Sequence, residues 1–183
     1  MTRLLGLSGS LRKGSYNTAL LHAAAGLLPE GVELEVATLH GVPLYDGDVE
    51  SNEGIPKAVE ALKDKLAAAD GLVLCAPEYN HTISGVAKNA IDWMSRPPKD
   101  AARVFHGRPV ALLSASPSGF GGVLAQNAWL PVLRTLRMRY WAGQELMVSR
   151  AQDVFDDAGG LKDEQARENL RKFMAGFVDF VRA

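Results

Sequence analysis

The stretch from Leu4 to Asn17 constrains this chain more than any other. Leu4 to Leu7 is a short apolar run, and Ser8 to Asn17 then turns small, polar and basic. Next, Leu20, Leu21, Ala24, Leu27 and Leu28 recur on one helical face. A strand therefore runs into a loop and the loop into a helix. Such a junction aims backbone N–H groups and the positive end of a helix at whatever lies above it, and both favour an anion. Ser8, Ser10, Ser15 and Tyr16 add hydroxyls, Asn17 an amide and Arg12 a fixed cationic fork. The stretch reads as a phosphate cradle. The stereotyped alternatives do not match. From Gly9 the spacing is Gly-x-x-x-x-Gly, but Ser15 stands where a nucleotide triphosphatase needs Lys. Gly6 and Gly9 do not make the dinucleotide fingerprint, and Gly6 to Ser10 lacks the last glycine of a hydrolase nucleophile elbow.

The rest of the chain repeats the strand–helix alternation. Pro29-Glu30-Gly31 stops the first helix, and Val32, Leu34 and Val36 alternate with charged residues as in a half-exposed edge strand. His40 to Gly54 has no period and reads as a long loop. Ile55, Val59, Leu62 and Leu66 mark a helix. Gly71 to Cys75 is continuously apolar, as in a strand covered on both faces. Ile83 to Met94 reads as a helix, Pro109 to Leu113 as a strand, and the segment up to about Leu136 as a helix kinked at Pro131. Arg139 to Ser149 reads as one strand of mixed polarity. Leu170, Phe173, Met174, Phe177, Val178 and Val181 form the clearest amphipathic stripe. The βαβαβαβαβα pattern predicts an α/β fold over one domain, 1–183, with a five-stranded parallel sheet of order 2-1-3-4-5. Its ligand crevice lies at the carboxyl ends of strands one and three.

Three loops converge there: Ser8 to Asn17, Pro77 to His81, and Ser114 to Gly122. None supplies a recognisable side-chain catalyst. His81 has no nucleophile or Asp spaced to form a relay with it. His22, His40, His81 and His106 have no metal-ligand spacing. Cys75, the one cysteine, lacks the Arg six residues on that a phosphatase would need; His81 stands there instead, and Cys75 reads as a small hydrophobe. Glu78 reads as a hydrogen-bonding residue, and Trp93 as a core or interface residue. Trp129 and Trp141 leave core packing and a subunit contact both open. An anion cradle beside two backbone-rich loops, without a catalyst, points to a cofactor that carries the chemistry.

Three motifs in register support one resemblance: Gly9-Ser10-Leu11-Arg12-Lys13-Gly14-Ser15-Tyr16-Asn17, then Pro77-Glu78-Tyr79-Asn80, then Lys88-Asn89-Ala90-Ile91-Asp92-Trp93. Together they resemble the NADPH-dependent FMN reductase family, the flavodoxin-like group of bacterial quinone and chromate reductases and some azoreductases. The resemblance implies a flavodoxin-like three-layer sandwich, with FMN and NAD(P)H as cofactors. It implies that the first loop holds the FMN phosphate, through Ser10, Arg12, Ser15 and Asn17 with Leu11, Lys13, Gly14 and Tyr16 beside them. Pro77, Glu78, Tyr79 and Asn80 would run along the flavin ring, and Ser116 would mark the third contacting loop. Hydride would pass from nicotinamide to flavin N5 and then to a small electron acceptor: a quinone, chromate, an azo compound or free flavin. Family members form homodimers, often paired into homotetramers.

Net charge is −1 over 183 residues, so nothing calls for nucleic acid or an anionic membrane as partner. The same near-neutral charge argues against the alternative of a flavodoxin-like electron carrier, whose acidic surface would steer docking. No run approaches the roughly 20 apolar residues of a membrane span. The first apolar run is too short for a signal-peptide core, and the expected compartment is the cytoplasm.

Overall fold

The computed structural model describes residues 1–183. Strand β1 (Thr2–Ser8) leads into helix α1 (Tyr16–Ala25), and β2 (Val32–Ala37) follows. Helices α2 (Gly47–Glu53) and α3 (Lys57–Ala68) precede β3 (Gly71–Cys75). A small hairpin of β4 (Glu78–Tyr79) and β5 (Thr82–Ile83) comes before α4 (Gly85–Met94) and the short α5 (Ala101–Val104). Then come β6 (Pro109–Ala115), α6 (Val123–Thr135), β7 (Arg139–Tyr140), β8 (Leu146–Val148), α7 (Ala151–Val154) and α8 (Glu164–Arg182). The main sheet is parallel in the order β2-β1-β3-β6, and β7 and β8 both pair with β6 at the far edge. This is the expected order, with the fifth position shared by two short strands.

Successive side chains of a strand point to opposite faces, and the two cores divide on that rule. Leu5, Leu7, Leu72, Leu74, Val110 and Leu112 face α3, α4 and α6. Leu4, Val73, Cys75, Ala111, Leu113 and Ala115 face α1 and α8. In β3 all five residues are buried, so its unbroken apolar run is what a strand sandwiched between helix layers requires. The stripe Leu170, Phe173, Met174, Phe177 and Val178 is fully buried on α8. Edge strand β2 alternates half-buried and exposed positions until Ala37.

Four segments differ from the sequence expectation. The long loop contains α2, whose N-cap Asp46 accepts from the Asp48 N–H at 2.8 Å. It has cap and acidic first-turn signals but buries no residue, so no apolar period announces it. Helix α4 starts at Gly85, because residues 78–83 form the hairpin. The segment Arg139 to Ser149 is split: between β7 and β8 the chain turns Trp141 inward against Phe173, with ring centroids 4.8 Å apart and nearly perpendicular. Trp141 and Trp129 are both core residues, 9% and 1% exposed. Helix α6 runs through Pro131 without interruption.

One polar cluster holds the layer on the α3 side. Lys63 is completely buried; its ammonium donates to Asp100 Oδ2 at 2.6 Å, Glu60 Oε1 at 2.9 Å and the Arg96 carbonyl at 2.8 Å. The Arg103 guanidinium and the Lys63 ammonium hold the Asp100 carboxyl well below the usual carboxylate range. An unfolded Asp titrates near 4, so as pH falls the unfolded chain takes up this proton before the folded one does. The contribution of Asp100 to stability is therefore complete above about pH 5 and is lost progressively below about pH 4. Asp100→Asn is expected to lower stability at neutral pH by about 2 kcal/mol and to flatten its decline in acid; urea unfolding at pH 7 and pH 3 checks both.

Candidate functional site

The first loop is built by close packing beneath it. Gly9 donates its N–H to the Cys75 carbonyl at 2.8 Å and accepts from Ser84 Oγ at 2.9 Å. A Cβ on Gly9 would lie 2.5 Å from that of Ala76 and 3.1 Å from that of Ala87, so only glycine lets the end of β1 pass between β3 and α4. Beyond it, Ser15 caps α1, its Oγ accepting from the Thr18 N–H at 3.3 Å. Ala19 N–H donates to the Ser15 carbonyl, which leaves the N–H groups of Tyr16 and Asn17 without an acceptor in the chain. The Asn17 side chain is used inside. Its Nδ2 donates to the Ala115 carbonyl at 2.9 Å, and its Oδ1 accepts from the Ala115 N–H at 3.0 Å and from the Cys75 thiol at 3.4 Å. Burial pushes the Cys75 thiol up, so it remains a neutral weak donor.

The second loop is the β4–β5 hairpin. Asn80 and His81 both have positive φ, 50° and 61°, the conformation of a two-residue type I′ turn. Asn and His are both among the non-glycine residues found most often in that region. Glu78 holds the hairpin in place. Its Oε2 accepts from the Leu124 and Ala125 N–H groups at 2.9 and 3.1 Å. These are first-turn donors of α6, whose N-cap, Gly122, has no side chain to offer. A carboxylate at that end also suits the helix dipole.

The third loop depends on its glycines. Gly121 and Gly122 have φ of 60° and 97°, and a Cβ on either would lie within 3 Å of Met147 or Ser114 atoms. Ser114 Oγ donates to the Gly121 carbonyl at 2.7 Å and accepts from Gln126 Nε2 at 2.8 Å. Ser116 Oγ accepts from the Ser118 N–H at 3.1 Å, which turns the loop back over the end of β6. The third sequence motif pins a neighbouring segment. Asn89 accepts from the Tyr45 N–H and donates to the Pro43 carbonyl, and Trp93 Nε1 donates to that same carbonyl at 3.0 Å.

A cleft of about 180 Å³ lies where the three loops meet, at the carboxyl ends of β1, β3 and β6. Ser10, Arg12, Ser15, Tyr16, Asn17, Pro77, Glu78, Tyr79 and Ser116 line it, with Ala115 and Pro117. Of the other residues singled out in the sequence, Lys13 and Gly14 face a different cleft, Leu11 is exposed beside the loop and Asn80 is exposed at the hairpin tip. The tethers made by Asn17 and Glu78 escaped sequence reasoning because each joins residues far apart in the chain. The chain has no group of three or more His, Cys, Asp or Glu side chains placed to hold a metal ion. No helix is long and apolar enough to cross a membrane.

A family model described as NADPH-dependent FMN reductase matches residues 2–153. The chain is 44% identical over 180 residues to an NAD(P)H-dependent FMN reductase of Pseudomonas aeruginosa, covering 98% of this chain and 95% of that protein. It is 34% identical over 177 residues to a quinone reductase of Escherichia coli, covering 96% and 93%. Among solved structures, the flavoenzyme NAD(P)H:(acceptor) oxidoreductase of Paracoccus denitrificans aligns over 100% of this chain and 98% of its own, with a TM-score of 0.88 at 28% identity. The sheet order, the three converging loops and these similarities agree: the chain belongs to the NADPH-dependent FMN reductase family.

Proposed function

We propose that the cleft holds FMN and that the chain is an FMN-dependent NAD(P)H oxidoreductase that reduces a small acceptor, with quinones as the favoured class. The observation that carries this reading is the pair of unmatched N–H groups on Tyr16 and Asn17, set at a capped helix N-terminus beside Arg12. They offer two neutral donors, the positive end of a helix dipole and a guanidinium to a phosphate dianion. Relatives named for FMN and for quinone reduction support the choice of cofactor and acceptor.

FMN, when bound, supplies the redox chemistry, with hydride entering from a reduced nicotinamide and electrons leaving to the acceptor. The chain supplies position. Pro77, Glu78, Tyr79 and Ser116 line the part of the cleft where the ring would rest. Tyr79, 53% exposed, stands at the rim and limits access of water and reactants to that face. Glu78 Oε2 is committed to the α6 N-terminus, so the carboxylate orients the second loop. A reaction of this kind needs alignment of two rings more than a side-chain acid or base.

A homodimer or homotetramer fits the apolar side chains left in solvent, with Phe120 72%, Leu124 43% and Leu130 38% exposed. Sedimentation velocity at micromolar concentration is expected to give a species of at least twice the chain mass; a monomer would refute the assembly.

The purified chain is expected to be yellow, or to turn yellow with FMN, and to oxidise NADPH or NADH when a benzoquinone is added. Absence of both a flavin-induced rise in Tm and any quinone-dependent nicotinamide oxidation contradicts the reading. Arg12→Ala is expected to weaken FMN about tenfold, roughly 1.4 kcal/mol, through loss of a charge-assisted phosphate contact. Arg12 is exposed, so the Tm of the flavin-free protein should hold; unchanged FMN affinity would remove Arg12 from the cradle.

A further inference from the structure

A second and larger cleft, about 690 Å³, is lined by residues 12–16 of the first loop. It is bounded by Thr18, Ala19 and His22 of α1 and by the segment Phe155 to Gly159 beyond α7. Arg12, Ser15 and Tyr16 line both clefts, so the two meet at the proposed phosphate position. Gly14, which lines the second cleft, is exposed, and a Cβ built on it would meet no atom within 4 Å.

We propose that this second cleft is an adenylate subsite, which takes the AMP half of FAD while the flavin half lies in the first cleft. The inference rests on the flavin reading above and extends it: the chain accepts the dinucleotide as well as FMN. In FMN the phosphate ends the molecule, whereas in FAD a second phosphate and an adenosine continue from it. A site that walls in the terminal phosphate rejects FAD by steric clash. Here three residues at the phosphate position also line a second cleft, whose size is that of ordinary small-molecule sites, roughly 300–1,000 Å³.

The second cleft carries side chains suited to the groups of the adenylate half. Arg12 and Lys13, both exposed, stand where the second phosphate would emerge. Tyr16 is a half-buried ring stacked at 5.7 Å and 29° on the buried Phe155. A rigid aromatic on the cleft wall is a platform for a purine. Asp157 also lines this cleft, a carboxylate that can accept from the exocyclic amine of adenine. The neighbouring Asp156 is already engaged, its Oδ1 accepting from the Ala158 and Gly160 N–H groups at 2.9 and 2.7 Å. That turn fixes the wall and leaves Asp157 to the ligand.

The test is calorimetric titration of the full chain, freed of flavin, with FMN and with FAD. The dissociation constant for FAD is expected to fall within about tenfold of that for FMN. The double substitution Asp157→Ala with His22→Ala, remote from the first cleft, is expected to weaken FAD by about fivefold or more and to leave FMN unmoved. Unchanged FMN binding also shows that the double variant is folded. If FAD binds about a hundredfold more weakly than FMN, the phosphate is walled in and the subsite is refuted while the FMN reading stands. Equal FAD binding by the wild type and the double variant would leave the adenylate in solvent, and equal loss of both flavins would show a general disturbance; either overturns the subsite. If neither flavin binds, the flavin reading falls and the subsite with it.

Discussion

The side-chain amide of Asn17 is the tie on which the site depends. It sits 3% exposed beneath the cleft, in the first turn of α1, and bonds to both backbone groups of Ala115 at the end of β6. It also accepts from Cys75 at the end of β3. One amide thus sets the height of a helix N-terminus against the ends of two strands. A buried amide of this sort has one satisfactory arrangement, since any shift leaves a donor or acceptor unmatched in a place water cannot reach. The helix end, with its free N–H groups, is held at a fixed distance from the loop after β6.

Glu78 does for the second and third loops what Asn17 does for the first and third. Glycine at the α6 N-cap is demanded by its left-handed φ and its closeness to Ser114, and glycine cannot cap. The missing oxygen comes from a carboxylate in another loop, so satisfying α6 and anchoring the hairpin are one interaction. Three segments that have few apolar contacts of their own become one rigid rim. For a fold whose chemistry is carried by a bound cofactor, rigidity at that rim is the contribution the protein can make.

Much of the architecture could be read from the residues. Each main strand and helix shows its period because burial on a sheet face or a helix stripe selects apolar residues at fixed intervals. Leu72 to Cys75 and the α8 stripe are the plainest cases. The Ser-rich junction between β1 and α1 was legible for a related reason: helix caps use local chemistry, with donor and acceptor a few residues apart. Segments without a buried face were not legible. Helix α2 buries nothing, and β7 and β8 are too short to show alternation and are separated by an inward-turned Trp141.

The chain alone determined the order of strands and helices, the parallel sheet and the place of the serine-rich first loop, because each follows from patterns within a dozen residues. Only the folded molecule decided what Asn17 and Glu78 do, since their partners lie 98 and 46 residues away and nothing local marks them. The same holds for the two clefts that meet at Arg12, Ser15 and Tyr16. A cleft is the space left between elements, and its walls exist only once those elements have packed.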